Sequence, residues 1–172
     1  HSWSAETIQQ AVLLATQIPS YRRAAESFEW LTKVPMSKSS LQQLTNEYGE
    51  RLVALQEQEA QAMATVPEDV PEGEAWRAIP EPDSEQMAVA MDGGMLNIRD
   101  EGWKEVKVVA VSAVETSDAG EEEPTVSLNH TTYRAGLWEA ARFANQQWAE
   151  SCRRGLEKAK RVVCVSDGAP WI

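Results

Sequence analysis

Cysteine is scarce in this chain of 172 residues: Cys152 and Cys164 stand on different predicted elements, with no CxxC pair and no histidine pair beside them. That excludes a disulfide framework and a zinc finger, and reduced thiols in a cytoplasmic setting are expected. No apolar run reaches the roughly 18 residues of a membrane-spanning helix, the longest candidate being the valine-rich stretch 108–114. No GxxxxGK[ST] loop is present, which removes the usual nucleotide cradle. There is no internal repeat and no low-complexity tract, and the chain opens on His1 without a basic, apolar, small-residue leader, so it is read as an excerpt of a longer product. Positive charge is in deficit, with 16 Lys and Arg against 27 Asp and Glu, a net charge of −11 that argues against a generic nucleic-acid coat.

The acidity is not evenly spread. Residues 67–86 hold seven Asp and Glu against one Arg, more than half of the excess, together with Pro67, Pro71, Pro80 and Pro82. Prolines without periodicity suit neither helix nor central strand, so this stretch reads as an acidic linker between a helical region, 1–66, and a second domain, 87–172.

Before the linker, apolar residues recur at helical spacing. Ile8, Ala11, Val12 and Ala15 share one face, and Ile18-Pro19-Ser20 ends the first helix, with Ser20 placed to cap the next. The second helix spans 21–31 and buries Ala24, Ala25, Phe28 and Leu31; a third starts at Ser37, carries Leu41, Leu44, Tyr48, Leu52 and Leu55, and runs to about residue 63.

After the linker the period shortens. Residues 87–98 and 106–114 read as strands joined by a hairpin at Asp100-Glu101-Gly102, and an acidic turn at 117–124 leads to a third strand at 125–133. A helix over 137–156 follows, with Trp138, Ala141, Ala144, Asn145, Trp148 and Cys152 expected against the sheet. The run 161–166 has the continuous apolar character of a strand covered on both faces, with Cys164 in the core. The fold class is therefore α/β: three antiparallel strands, a crossover helix and a parallel fourth strand. A right-handed crossover returns the fourth strand beside the first.

That topology brings together Asp92, on the first strand, and Asp167, at the end of the fourth. Neighbouring strands are about 4.8 Å apart, a suitable separation for two carboxylates to share divalent cations. Phosphodiester cleavage uses two such ions, one at the attacking oxygen and one at the leaving oxygen. Gly93 and Gly168 follow the two aspartates and leave room near the backbone. Taken singly, either Asp-Gly is equally well a plain turn.

Met91-Asp92-Gly93-Gly94, the stretch Arg99-Asp100-Glu101-Gly102-Trp103-Lys104-Glu105-Val106-Lys107, Arg153-Arg154-Gly155-Leu156 and Val165-Ser166-Asp167-Gly168-Ala169-Pro170-Trp171-Ile172 together resemble bacterial insertion-sequence transposases of the ISKra type, in the DDE group. The resemblance covers nearly the whole chain. It implies a ribonuclease-H-like catalytic domain, present here in part, using Mg2+ or Mn2+ held by Asp92 and Asp167. The implied activity is DNA cleavage at terminal repeats and strand transfer into target DNA, by a homo-oligomer when complete, in the bacterial cytoplasm at the nucleoid and without a membrane. The family also uses a third carboxylate on a helix well beyond the second. The sequence through Ile172 does not supply it, and Glu150 and Glu157 precede the fourth strand, so this chain alone is expected not to cut DNA.

The helical front end fits a helix-turn-helix DNA reader, with Ser39, Ser40, Gln42 and Gln43 meeting bases or phosphates and Lys38, Arg22 and Arg23 on the backbone; a plain three-helix packing unit explains the same pattern. The basic cluster Arg153, Arg154, Lys158, Lys160 and Arg161 either follows a phosphate backbone or covers a solvated helix end. His130 is read as an ordinary strand residue and Trp103 as an exposed hairpin tip. The competing classes are a non-catalytic DNA-binding or interaction protein derived from a transposase, and a phosphatase or sugar kinase. The phosphatase reading is disfavoured because Gly94 stands where a second aspartate is wanted.

Overall fold

Ser4 caps the first helix by accepting a hydrogen bond from the Thr7 N–H (3.2 Å), and the chain leaves that helix, α1 (Ala5–Gln17), in the extended conformation that Pro19 imposes on Ile18. In the computed structural model, residues 3–65, 77–117 and 125–169 are described. The first ten residues of the expected linker, the acidic turn from 118 onward and the terminal Pro170, Trp171 and Ile172 lie outside them. The chain divides into two units, His1–Gln56 and Glu57–Ile172.

In the first unit, α2 (Tyr21–Thr32) ends on Lys33 in the left-handed region (φ 61°), whose N–H still reaches the Glu29 carbonyl. Ser20 occupies the cap position of α2 but its side chain makes no capping bond. Ser37 does cap α3 (Lys38–Ala64), accepting from the Ser40 N–H at 3.0 Å. Ala11, Ala24, Ala25, Phe28, Met36 and Leu41 form the core, with Leu14, Ala15, Ile18 and Leu44 packed against it. Two expectations need correcting here. Leu31 is exposed, and so are Leu52 and Leu55, because the core of this unit is closed by Met36 and Leu41 and the apolar stripe of α3 extends beyond it.

The second unit is built on a mixed four-stranded sheet in the order β3-β2-β1-β4. Strands β1 (Gln86–Ile98), β2 (Gly102–Ser117) and β3 (Thr125–Gly136) form the antiparallel meander, and β4 (Arg161–Ser166) lies parallel to β1. Asp100 (φ 66°) and Gly102 (φ 77°) make the β1–β2 hairpin, closed by Glu101 N–H on the Ile98 carbonyl. One face of the sheet carries Met87, Val89, Val109, Val111 and Ala113, packed on Trp138 and Phe143.

The crossover helix α4 (Ala140–Arg153) buries a different face from the one its apolar pattern suggested. Phe143, Gln146, Ala149, Glu150 and Cys152 are inside, whereas Ala141, Ala144, Asn145 and Trp148 are exposed. Two polar residues chose the rotation: Gln146 and Glu150 face Arg134 of β3, and a reading that counts polar side chains as solvent-facing turns the helix the wrong way. Trp148 instead donates its indole N–H to the Met63 carbonyl (3.3 Å). Strand β4 is a further correction. All six of its residues are exposed, Cys164 included: among the described residues β4 pairs with β1 alone, at the edge of the sheet, and α4 packs over β2 and β3.

Candidate functional site

Asp92 on β1 and Asp167, the residue that follows β4, come just after the last register partners of two neighbouring strands. Strands β1 and β4 run in constant parallel register from Gln86 opposite Arg161 to Met91 opposite Ser166, and an aspartate follows each of those two residues. Side chains alternate along a strand and register partners share a face. Met87, Val89 and Met91 belong to the helix-covered face, so Asp92 projects on the opposite one. Both side chains are exposed. The Asp167 carboxylate accepts the Ala169 N–H at 3.0 Å, a local turn held open by Gly168 at φ 77°, and Asp92 accepts the N–H of Gly93 at 2.7 Å. A Cβ built on Gly168 meets nothing within 4 Å.

These are hard anionic oxygens at one sheet margin with open space beside them, which suits Mg2+ or Mn2+. Among the described residues, no group of three or more His, Cys, Asp or Glu converges as a metal site. Two acidic residues of the crossover are engaged elsewhere: Glu157 pairs with Arg77 at 2.5 Å, and Glu150 lies inside the molecule.

The sequence did not reveal a buried polar constellation around Arg134 and Glu150. Arg134 and Glu150 are 2% and 1% exposed. Arg134 donates through Nε to Glu150 (3.0 Å), through Nη1 to Gln146 (2.8 Å) and through Nη2 to Glu59 (2.5 Å), while Thr132 Oγ1 and Arg153 also donate to Glu150. Burial by itself would raise the Glu150 carboxyl, but the hydrogen bonds from Arg153, Thr132 and Arg134 outweigh it and hold the group below the ordinary carboxylate range. The same bonding raises Arg153. Glu57 completes the cluster by accepting from Arg142 Nε (3.0 Å) and Gln146 (2.7 Å).

Arg154, a candidate phosphate contact, is buried, and its described contacts are internal. Its Nη1 donates to the carbonyls of Val111 and His130 and to Thr132 Oγ1, and its Nη2 to Asp83. A bulge makes this necessary. Val111 faces Thr132 but Ala113 faces Asn129, so β3 carries an extra residue there, with His130 at φ 50°; the interrupted ladder leaves carbonyls that the guanidinium fills. Arg153 is half-exposed and paired with Glu150.

In the first unit, Arg22 and Arg23 are exposed near the start of α2, and Lys38, Ser39, Gln42 and Gln43 are exposed over the first turns of α3. Ser39 and Ser40 direct their hydroxyls to Ser37 Oγ, at 2.9 and 2.8 Å, and Ser40 is half-buried. Trp103 at the hairpin is exposed, as expected. Compared with known proteins, the chain matches no family model, no curated protein and no solved structure. No helix among the described residues is long and apolar enough to cross a membrane.

Proposed function

We propose that this chain carries part of the metal-dependent nuclease core of a DDE-type transposase, with a DNA-reading helical front end. The observation that supports the reading most is the register of β1 against β4, in which Asp92 and Asp167, some 75 residues apart in the chain, fall one step beyond the partners Met91 and Ser166. The strand order, with a parallel fourth strand beside the first, agrees with a ribonuclease-H-like arrangement. Asp92 and Asp167 would hold Mg2+ or Mn2+, and the cation, when bound, polarises a phosphoryl oxygen. The chain's own contribution is to orient two carboxylates from a paired sheet, which fixes their backbone separation. On the front end, Lys38, Arg22 and Arg23 would neutralise phosphates, and Ser39, Gln42 and Gln43 would meet base edges.

Paramagnetic Mn2+ titrated into isotope-labelled protein tests the metal site. The expected result is selective broadening of the amide signals of residues 91–94 and 166–168, weakened in Asp92→Asn and in Asp167→Asn. Uniform broadening, or broadening at that margin that neither variant changes, overturns the assignment.

A further inference from the structure

Residues 77–85, the described end of the acidic stretch, lie as a strap along the connection from α4 to β4. Gly155, at φ 69° and without a Cβ, lets the backbone of Pro80, Glu81 and Pro82 come within 3.0 Å of where a Cβ would stand. The Arg161 N–H donates to the Glu85 carbonyl, and Ser84 Oγ donates to the Val114 carbonyl. Two largely buried guanidinium groups complete the anchorage, Arg154 on Asp83 and Arg77 on Glu157. The strap is thus fixed by backbone packing and by pairs shielded from water. Two further pairs are of a different kind. Glu81 reaches Lys158 Nζ at 2.6 Å and Glu85 reaches Lys160 Nζ at 2.5 Å, with the two carboxylates 81% and 72% exposed. Pairs so open to water and salt add little to stability, and the strap is held without them. What they change is the charge that the connection presents: each lysine of the basic cluster already carries a carboxylate.

We propose that Lys158 and Lys160 contact the phosphate backbone of duplex DNA, and that Glu81 and Glu85 are a built-in competitor for them, an internal polyanion on a fixed strap. The class of ligand rests on the DNA reading given above. Each strand of a duplex carries one charge per about 3.4 Å of axis, a denser row than two carboxylates four residues apart. Such a row takes both ammonium groups at once, and the exchange needs only side-chain rotation, because lysine binds phosphate as a point charge on a flexible stem. The strap stays in place. Its two glutamates set a threshold that an isolated anion does not pass and a phosphate chain does.

Fluorescence anisotropy of a labelled duplex with the full chain in EDTA tests this through a double-mutant cycle, in which any contacts of the front end are common to all four proteins and cancel. Glu81→Gln with Glu85→Gln is expected to tighten binding roughly tenfold. Lys158→Gln with Lys160→Gln is expected to weaken it and to flatten the salt dependence by about two units of slope, one per lost contact. In the fourfold variant the gain from the two glutamate substitutions is expected to vanish. A gain that survives there is a general relief of charge repulsion and overturns the inference. Affinity that Glu81→Gln with Glu85→Gln leaves unchanged overturns it too, as does the absence of duplex binding by all four proteins, or a gain seen with heparin and not with duplex. All four side chains are exposed, so the thermal midpoints are expected to stay together and show that the fold is intact. The Mn2+ titration contains no DNA and this experiment no free cation, so the metal reading and the strap can fail separately.

Discussion

Arg134 Nε donates to Glu150 Oε2 at 3.0 Å between two side chains that are both almost fully sealed from solvent. Removing one partner of such a pair leaves a buried charge poorly compensated, which costs about 3 kcal/mol or more. Glu150→Gln, which keeps the shape and deletes the charge, is therefore expected to destabilise the second unit by about 3 kcal/mol. Chemical denaturation measures this, and an unchanged midpoint would show that Glu59 and Gln146 satisfy Arg134 without it.

The same carboxylate gives the fold a pH dependence of definite sign. Glu150 is held below its ordinary value in the folded state, so it binds a proton more readily when unfolded. Its stabilisation is fully present above the unfolded carboxylate range and is lost as pH falls through the lower folded value. Thermal unfolding followed through that acidic window should show a steeper loss in the parent than in Glu150→Gln; parallel curves would count against the assignment.

Gly155 sits at φ 69°, and a Cβ added there would lie 2.5 Å from the Pro80 carbonyl oxygen. Two penalties combine, the left-handed backbone for an L-residue and a contact that moves the segment carrying Glu81 and Asp83. Gly155→Ala is expected to cost about 2 kcal/mol, whereas Gly94→Ala, with open space around it, should cost little of steric origin. Equal effects from the two substitutions would remove the packing explanation.

The two thiols should react at very different rates. Burial pushes the Cys152 thiol up and encloses it beside Arg77, while Cys164 is exposed on the edge strand. Ellman's reagent is expected to titrate one thiol quickly and the second only on unfolding, and no fast thiol should remain after Cys164→Ser.

Duplex binding by the front end, if it follows the proposal, is electrostatic in its backbone contacts. Replacing Arg22 and Arg23 with alanine is expected to lower affinity about equally for different duplexes and to flatten the salt dependence by about one unit of slope per lost contact. Fluorescence anisotropy at several salt concentrations measures both, and an unaltered slope would exclude these arginines from the phosphate contacts.

Local and topological features were legible in the sequence. Pro19 and Ser37 mark helix boundaries through backbone sterics and capping, Ala24, Ala25 and Phe28 mark a core face by spacing, and the handedness of a crossover was enough to set β4 beside β1 and Asp92 in line with Asp167. Those inferences depend on neighbours in the chain or on chirality, which a single sequence contains. The rotation of α4, the bulge at His130 and the exposure of β4 were decided by the tertiary structure. Gln146, Glu150 and Arg154 count as solvent-facing in any hydrophobic pattern, yet each is buried because its hydrogen-bonding partner lies on another strand or segment, and such pairing is a property of the assembled sheet. Likewise a valine-rich strand reads the same whether it is central or at the edge, since the difference lies in what packs beside it.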